Sequence, residues 1–282
     1  MRLVPHAAGS LAHATAYLGA IVIAANTAPP GVLDFGLVFP RPNETYEPTD
    51  RFPIVFALQN AELAKHLYLN VWFRLINSTN RDWLYNTGNI DISAEWNLVH
   101  NPSEPFLYWQ FLDIKSEGPI KLIWQPGWAQ CHEGVDGVEF VNNNTLHIAD
   151  FGVDFEIKRD GRKADLVAAT SNNEQCPDRG YAIQVTNQTR EVLPRPVWDG
   201  KNGTCAVLAF PSPTPTADPC RVRIDEAAVE SMNAVELQRM CKGFINPPAE
   251  CPKKDGAVQK SAIVAGAASF AAALGAFVFL LV

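Results

Sequence analysis

The chain has 282 residues, 47% of them hydrophobic and 19% charged, with 21 Pro, 18 Gly and six Cys. That apolar content suffices for a packed core, and no Gly period runs through the chain, so a disordered or collagenous polymer is excluded. Lys and Arg number 23 against 30 Asp and Glu, a formal charge of −7 with no basic cluster, so the electrostatic footprint of a nucleic-acid binder is missing and polyanionic partners are disfavoured.

Met1-Arg2 places one positive charge before an uncharged stretch to Asn26, strongest from Tyr17 to Ala25. A short basic start, an apolar run and small residues behind it predict a secretory signal peptide over residues 1–25, cleaved after Ala25. Pro29-Pro30 ends the run abruptly, and no polar face suits it to a buried amphipathic helix.

From residue 31 to residue 210, short or alternating apolar runs are bounded by Pro, Gly and Asn. The pattern predicts strands at Val32–Phe39, Ile54–Leu58, Leu67–Ile76, Phe106–Ile114, Lys121–Trp124, Leu146–Ile157, Leu166–Thr170, Tyr181–Val185 and Cys205–Phe210. In the Leu146 segment, Ile148, Phe151, Val153, Phe155 and Ile157 share a face if a bulge near Gly152 corrects the phase. Asp160-Gly161 is a hairpin signal between that strand and the next. The expected fold is an all-β, antiparallel β-sandwich, either one large unit or two packed immunoglobulin-like units.

Five sequons fall beside turn-forming residues, at Asn43, Asn77, Asn143, Asn187 and Asn202, while Asn101-Pro-Ser103 is blocked by its proline. They predict N-glycans on surface loops. Six tryptophans (Trp72, Trp83, Trp96, Trp109, Trp124, Trp128) crowd the first half of the body. Trp72 and Trp109 lie inside apolar runs and are expected in the core. Trp83 and Trp128 sit in loop-like contexts and are the two candidates for stacking on a sugar ring.

Gly-x-Ser-x-Gly, His-Glu-x-x-His, phosphate-binding Gly loops and calcium-loop spacings are all absent. The densest polar cluster is Cys131-His132-Glu133-Gly134-Val135-Asp136-Gly137-Val138-Glu139, with His147 beyond it. Its chemical reading is a metal site or a carboxylate pair for glycoside hydrolysis. Its plainer reading, which we adopt, is a disulfide-pinned loop turning at Asp136-Gly137. No catalytic residue, cofactor site or metal site is therefore assigned.

Residues 211–219, Pro-Ser-Pro-Thr-Pro-Thr-Ala-Asp-Pro, predict a stiff extended spacer. A Cys-flanked segment at 220–251 follows, with a helix over Ile224–Met240 in which Ile224, Ala228, Met232, Val235 and Met240 approach one face. An even Cys count in a secreted chain predicts disulfides among Cys131, Cys176, Cys205, Cys220, Cys241 and Cys251, with roughly 15 connectivities open. Zinc is disfavoured because no Cys-x-x-Cys pair occurs. A helix separates its own ends by about 30 Å, so Cys220 and Cys241 are each expected to bond elsewhere rather than to one another.

The chain is uncharged from Ser261 to Val282 and ends on an apolar run. Small residues at Asp255-Gly256-Ala257 and the spacer after them predict a glycosylphosphatidylinositol (GPI) signal over 256–282, with attachment at Asp255 or Gly256. A single spanning helix is the alternative, weakened by the absence of Lys or Arg behind it. Either one makes the membrane a partner. Removing residues 1–25 and 256–282 takes Lys and Arg from 23 to 21 against an unchanged 30 acids, leaving a formal charge of −9.

The stretch Asp34-Phe-Gly-Leu-Val-Phe-Pro-Arg-Pro-Asn-Glu-Thr-Tyr-Glu-Pro-Thr-Asp-Arg-Phe-Pro-Ile-Val-Phe-Ala-Leu-Gln-Asn60 resembles the fungal secreted proteins grouped as the domain of unknown function 7136. Asp165-Leu-Val-Ala-Ala-Thr170, Cys205-Ala-Val-Leu-Ala-Phe210 and the run from the Pro-Thr spacer into Cys220-Arg-Val-Arg-Ile-Asp-Glu-Ala-Ala228 extend the resemblance over nearly the whole body. It implies an extracellular or surface protein with a signal peptide and often a C-terminal anchor, and it carries over no catalytic residue. The expectation is a non-catalytic, GPI-anchored surface glycoprotein with cell-wall glycans as candidate partners. The alternatives are a secreted carbohydrate-active enzyme and a soluble glycan-binding module.

Overall fold

The computed structural model describes residues 31–87, 90–92, 105–134, 137–142, 151–171, 176–177, 180–192, 203–209, 213, 215–243 and 248–251. The signal peptide, the GPI signal with Asp255 and Gly256, Asn143, Asn202, Trp96, Asp136 and His147 all lie outside the described residues.

The strands in chain order are β1 (Val32–Phe39), β2 (Thr45–Tyr46), β3 (Thr49–Gln59), β4 (Asn70–Asn77), β5 (Trp83–Asn86), β6 (Ile90–Asp91), β7 (Phe106–Ile114), β8 (Gly118–Gly127), β9 (Ala129–Gly134), β10 (Gly137–Asn142), β11 (Phe151–Ile157), β12 (Gly180–Val192) and β13 (Gly203–Leu208). Among the described residues two helices, α1 (Leu166–Thr170) and α2 (Glu226–Gly243), accompany them, with 3-10 turns at Ala61–His66 and Pro219–Arg221. A five-stranded sheet runs β13-β12-β1-β3-β7, and a six-stranded sheet runs β2-β11-β8-β4-β5, with β6 also on β4. Among the described residues all ladders are antiparallel except the short parallel pair of β2 with β11.

The sheets face each other through aromatic side chains. Phe35 of β1 meets Trp124 of β8 edge-on at 5.7 Å, Phe56 of β3 lies 5.7 Å from Phe73 of β4, and Phe52 stacks on Phe155 of β11 at 5.3 Å. These rings belong to a single buried cluster that extends through both sheets, so the body is one sandwich. A fully buried large side chain contributes about 1.5–3 kcal/mol, so the aromatic seam dominates the cohesion of the two layers.

β1 is buried along its whole length, which an alternating strand facing water on one side would not be. Its second face is covered by the C-terminal segment. Gly36 leaves room there for Pro219, since a Cβ at Gly36 would lie 2.7 Å from the Pro219 Cβ. The Asp218 N–H donates to Asp34 Oδ2 at 2.8 Å, and the Gln59 amide donates to the Asp218 carbonyl at 3.3 Å. The end of the Pro-rich stretch is thus docked on the five-stranded sheet.

The disulfides pair Cys131 with Cys205, Cys176 with Cys220 and Cys241 with Cys251. The first ties β9 to β13, the second fastens the approach to β12 to the Pro219 turn, and the third closes a loop at the end of α2. Cys220 and Cys241 each bond elsewhere, as helix length demanded.

Several local expectations change. Leu166–Thr170 is a helix rather than a strand: Asp165 accepts from the Ala168 N–H at 2.9 Å as its N-cap, and Leu166, Ala169 and Thr170 bury one face. Asp160-Gly161 therefore turns into no hairpin. Residue 162 instead bridges Tyr46, and Gly161 is small because a Cβ there would overlap the Tyr46 backbone. The register of β11 on β8 is unbroken from Phe151 to Ile157, so no bulge occurs at Gly152, and Ile148 lies outside the described residues. In α2, Val235 is exposed. Glu236 takes the buried position beside Met232, its charge met by Arg239 Nε and Nη2 at 2.9 and 2.7 Å.

Candidate functional site

The solvent face of the six-stranded sheet is built by strand alternation. On β4, Val71, Phe73 and Leu75 point into the sandwich, which leaves Trp72, Arg74 and Ile76 on the outer face. β5 lies beside β4 at the sheet edge, with Trp83 opposite Ile76 and Asn86 opposite Arg74. On the other side, β8 sets Gln125 opposite Trp72 and Ile123 opposite Arg74. Farther across, Lys121 and Asp154 form an ion pair at 3.3 Å with both side chains exposed, so water reaches this face.

Trp83 is 63% exposed, the most exposed large apolar side chain among the described residues. The Arg74 guanidinium lies 5.0 Å from the Trp72 ring centroid and 5.7 Å from that of Trp83. Along the outer face Trp72 precedes Arg74 by one pleat, and Trp83 on β5 is paired with Ile76, one pleat beyond it, so the cation touches an indole on each of the two strands. Arg74 has no carboxylate partner among the described residues, and its Nε is buried without a hydrogen bond. The result is a flat aromatic and cationic platform on a rigid sheet, suited to stacking a ring and holding a polar substituent beside it.

The other sugar-contact candidate does not share this surface. Trp128 lies between β8 and β9, is 8% exposed, and packs edge-on to Tyr181 at 5.3 Å. Trp128 is therefore core, as is the fully buried Trp124. Burial also pushes the Tyr181 hydroxyl up to about 12. Trp109 packs partly buried against the core, whereas Trp72, expected there, belongs to the outer face through its place on β4.

The polar cluster around Cys131 forms the β9–β10 hairpin rather than a loop. Gly134 pairs with Gly137, Glu133 with Val138 and His132 with Glu139. Positions 133 and 139 therefore fall on opposite faces of the hairpin. Glu133 is exposed and ion-paired with Arg190 of β12. Among the described residues no group of three or more His, Cys, Asp or Glu side chains is arranged to hold a metal ion.

Besides Glu236, the buried charges among the described residues are Asp34 and Arg41, both away from this platform. Asp34, 2% exposed, has its carboxyl held above the usual range by burial, against the opposing pull of the Asp218 amide and Arg221. Arg41, 1% exposed, donates from Nε to the Ala169 carbonyl at 2.9 Å and from Nη1 toward Cys220 Sγ at 3.6 Å. Burial lowers its affinity for a proton, and its Nη2 has no partner. Both side chains act as struts beneath the C-terminal segment. A groove of about 390 Å³ lies where that segment meets β3 and β7, lined by Arg51, Phe111, Lys163, Leu166 and Met232. Arg51 is already engaged there, with Asn233 at 2.9 Å and over the Phe111 ring at 4.8 Å.

Three sequons fall on described residues. Asn43 is exposed in the turn after β1, Asn77 ends β4, and Asn187 is exposed in β12 where the pairing with β13 slips. Asn77 Oδ1 also accepts from the Thr79 N–H at 2.8 Å, organising the turn into β5. No described helix is long and apolar enough to cross a membrane, and residues 252–282 lie outside the described set. Three disulfides fit an oxidising, extracytoplasmic compartment.

Comparison with curated proteins and with solved structures found no match. A family model matches residues 28–251, which covers the sandwich, the docked Pro-rich stretch, α2 and all three disulfides. The chain therefore belongs to the family of the domain of unknown function 7136.

Proposed function

We propose that this protein is a non-catalytic glycoprotein of the cell surface that contacts glycans through the outer face of its six-stranded sheet. The observation that carries the reading is Trp83, 63% exposed on an edge strand and flanked by Arg74 and Trp72. An indole left in water on a rigid sheet loses hydrophobic stabilisation that a stacked sugar ring restores. The three disulfides support delivery through the secretory pathway. The GPI signal at 256–282, with attachment at Asp255 or Gly256, accounts for retention at the membrane or wall.

The test is a glycan array probed with the disulfide-intact ectodomain, beside its Trp83→Ala variant. The expected result is retention of one class of saccharide, weakened roughly tenfold by the substitution, the equivalent of about 1.4 kcal/mol. Absence of any retained saccharide overturns the glycan reading. Anchoring is tested separately on intact cells with a phospholipase specific for inositol lipids. Release of the protein is expected, and retention would favour a spanning helix.

A further inference from the structure

We infer that the Trp72–Arg74–Trp83 platform selects acidic saccharides, with the Arg74 guanidinium pairing with the carboxylate of a uronic-acid residue while a ring of the same chain stacks on Trp83. The inference rests on the glycan reading above and specifies its ligand class. Three features of the platform lead to it.

The first is an uncompensated charge. Several exposed cations of this acidic protein have acidic partners: Lys121 has Asp154, Lys158 has Glu156, Arg159 has Glu117, and Arg162 has Glu44. Arg74 has none among the described residues, and its cross-strand neighbours on the outer face, Ile123 and Asn86, are neutral. Half-burial of that charge between indoles raises the benefit of an anion, because the surrounding medium screens it less than water does.

The second is the geometry of the fork. The guanidinium carbon lies over the Trp72 ring at 5.0 Å and over the Trp83 ring at 5.7 Å, and Nε is buried without a hydrogen bond. With Nε buried, a ligand meets the two terminal nitrogens, and approach in the guanidinium plane is how a planar carboxylate makes two parallel hydrogen bonds to them. The third is spacing. Trp83 is one pleat from Arg74 along the sheet, about 7 Å, so the stacked ring and the ring bearing the carboxylate belong to the same or adjacent sugars.

The experiment is titration calorimetry of the ectodomain with an oligogalacturonate, an uncharged glucan oligosaccharide of equal length and a sulfated oligosaccharide, at low and high salt. Each is repeated with Arg74→Gln, Arg74→Lys and Asn86→Asp, after thermal melts confirm that the variants fold. Asn86→Asp supplies an internal carboxylate opposite Arg74 without disturbing either indole.

The expected result is preferential binding of the oligogalacturonate, weakened by salt. Arg74→Gln reduces it about 10- to 100-fold, Asn86→Asp reduces it in the same direction, and Arg74→Lys reduces it less than Arg74→Gln. Equal affinity for the uncharged glucan, or no effect of Arg74→Gln, overturns the acidic selectivity and leaves the glycan reading standing. Preference for the sulfated ligand overturns the choice of carboxylate. Binding of none of the three, together with an empty array, overturns the glycan reading itself.

Discussion

At the scale of single residues, local context alone could not separate the two tryptophans proposed for sugar contact. Asn80-Arg-Asp-Trp83 and Gln125-Pro-Gly-Trp128 both look like turns. Trp83 sits on an edge strand with water on one side, whereas Trp128 falls where β8 passes to β9 and Tyr181 covers it. Arg74 was equally illegible as a site residue, because its partners are the ring two residues back and one on another strand. Asp34 yields a residue-level prediction. Its native carboxyl titrates above the unfolded value of 3.8, so the protonated form favours folding. That stability is present below pH 3.8 and is lost as pH rises through the native value. Asp34→Asn, which stays neutral and keeps an oxygen for the Asp218 amide, should melt close to the parent at pH 3.5 and above it at pH 7. Thermal melts at the two pH values check this, and a variant less stable at pH 7 would show that the Arg221 contact outweighs burial.

At the scale of elements, strands with long apolar or alternating runs were legible to within a residue or two, as at Val32–Phe39 and Phe106–Ile114. β8 extends beyond its expected core because Pro119 and Pro126 lie near its ends, where each removes only one ladder donor. α1 was misread because its short run Leu-Val-Ala-Ala-Thr is apolar and carries the β-branched Val167 and Thr170, although Asp165 as N-cap with Ala168 and Ala169 inside the first turns was the signal that could have revealed it. β5, β6 and the β9–β10 hairpin are short or polar, and pairing rather than periodicity defines them. The disulfides differ in what they restrain. Cys131–Cys205 spans 74 residues and Cys241–Cys251 spans 10. The chain-entropy model assigns the longer closure about 2 kcal/mol more stabilisation. Urea unfolding should therefore show a larger loss for the Cys131→Ala/Cys205→Ala variant than for Cys241→Ala/Cys251→Ala, with the burial of Cys205 acting in the same direction. Equal losses would contradict the assignment.

At the scale of the whole molecule, one aromatic seam joins both sheets, and the C-terminal segment closes over β1 through Asp34 and Gly36. Calorimetry of the ectodomain should accordingly give one unfolding transition with equal calorimetric and van't Hoff enthalpies, whereas two transitions would mean two separately folding units. The sequence by itself determined an all-β body, a helix after the Pro-rich stretch, six cysteines destined for pairing and an acidic balance, because strand period, turn chemistry and composition are local quantities. Only the tertiary structure decided which cysteines meet, that the body is a single sandwich, that the Pro-rich stretch docks, and that Trp72, Arg74 and Trp83 share one face. Each of those depends on sheet register and on which residues distant in the chain compete for the same buried volume, and no window of sequence contains that information.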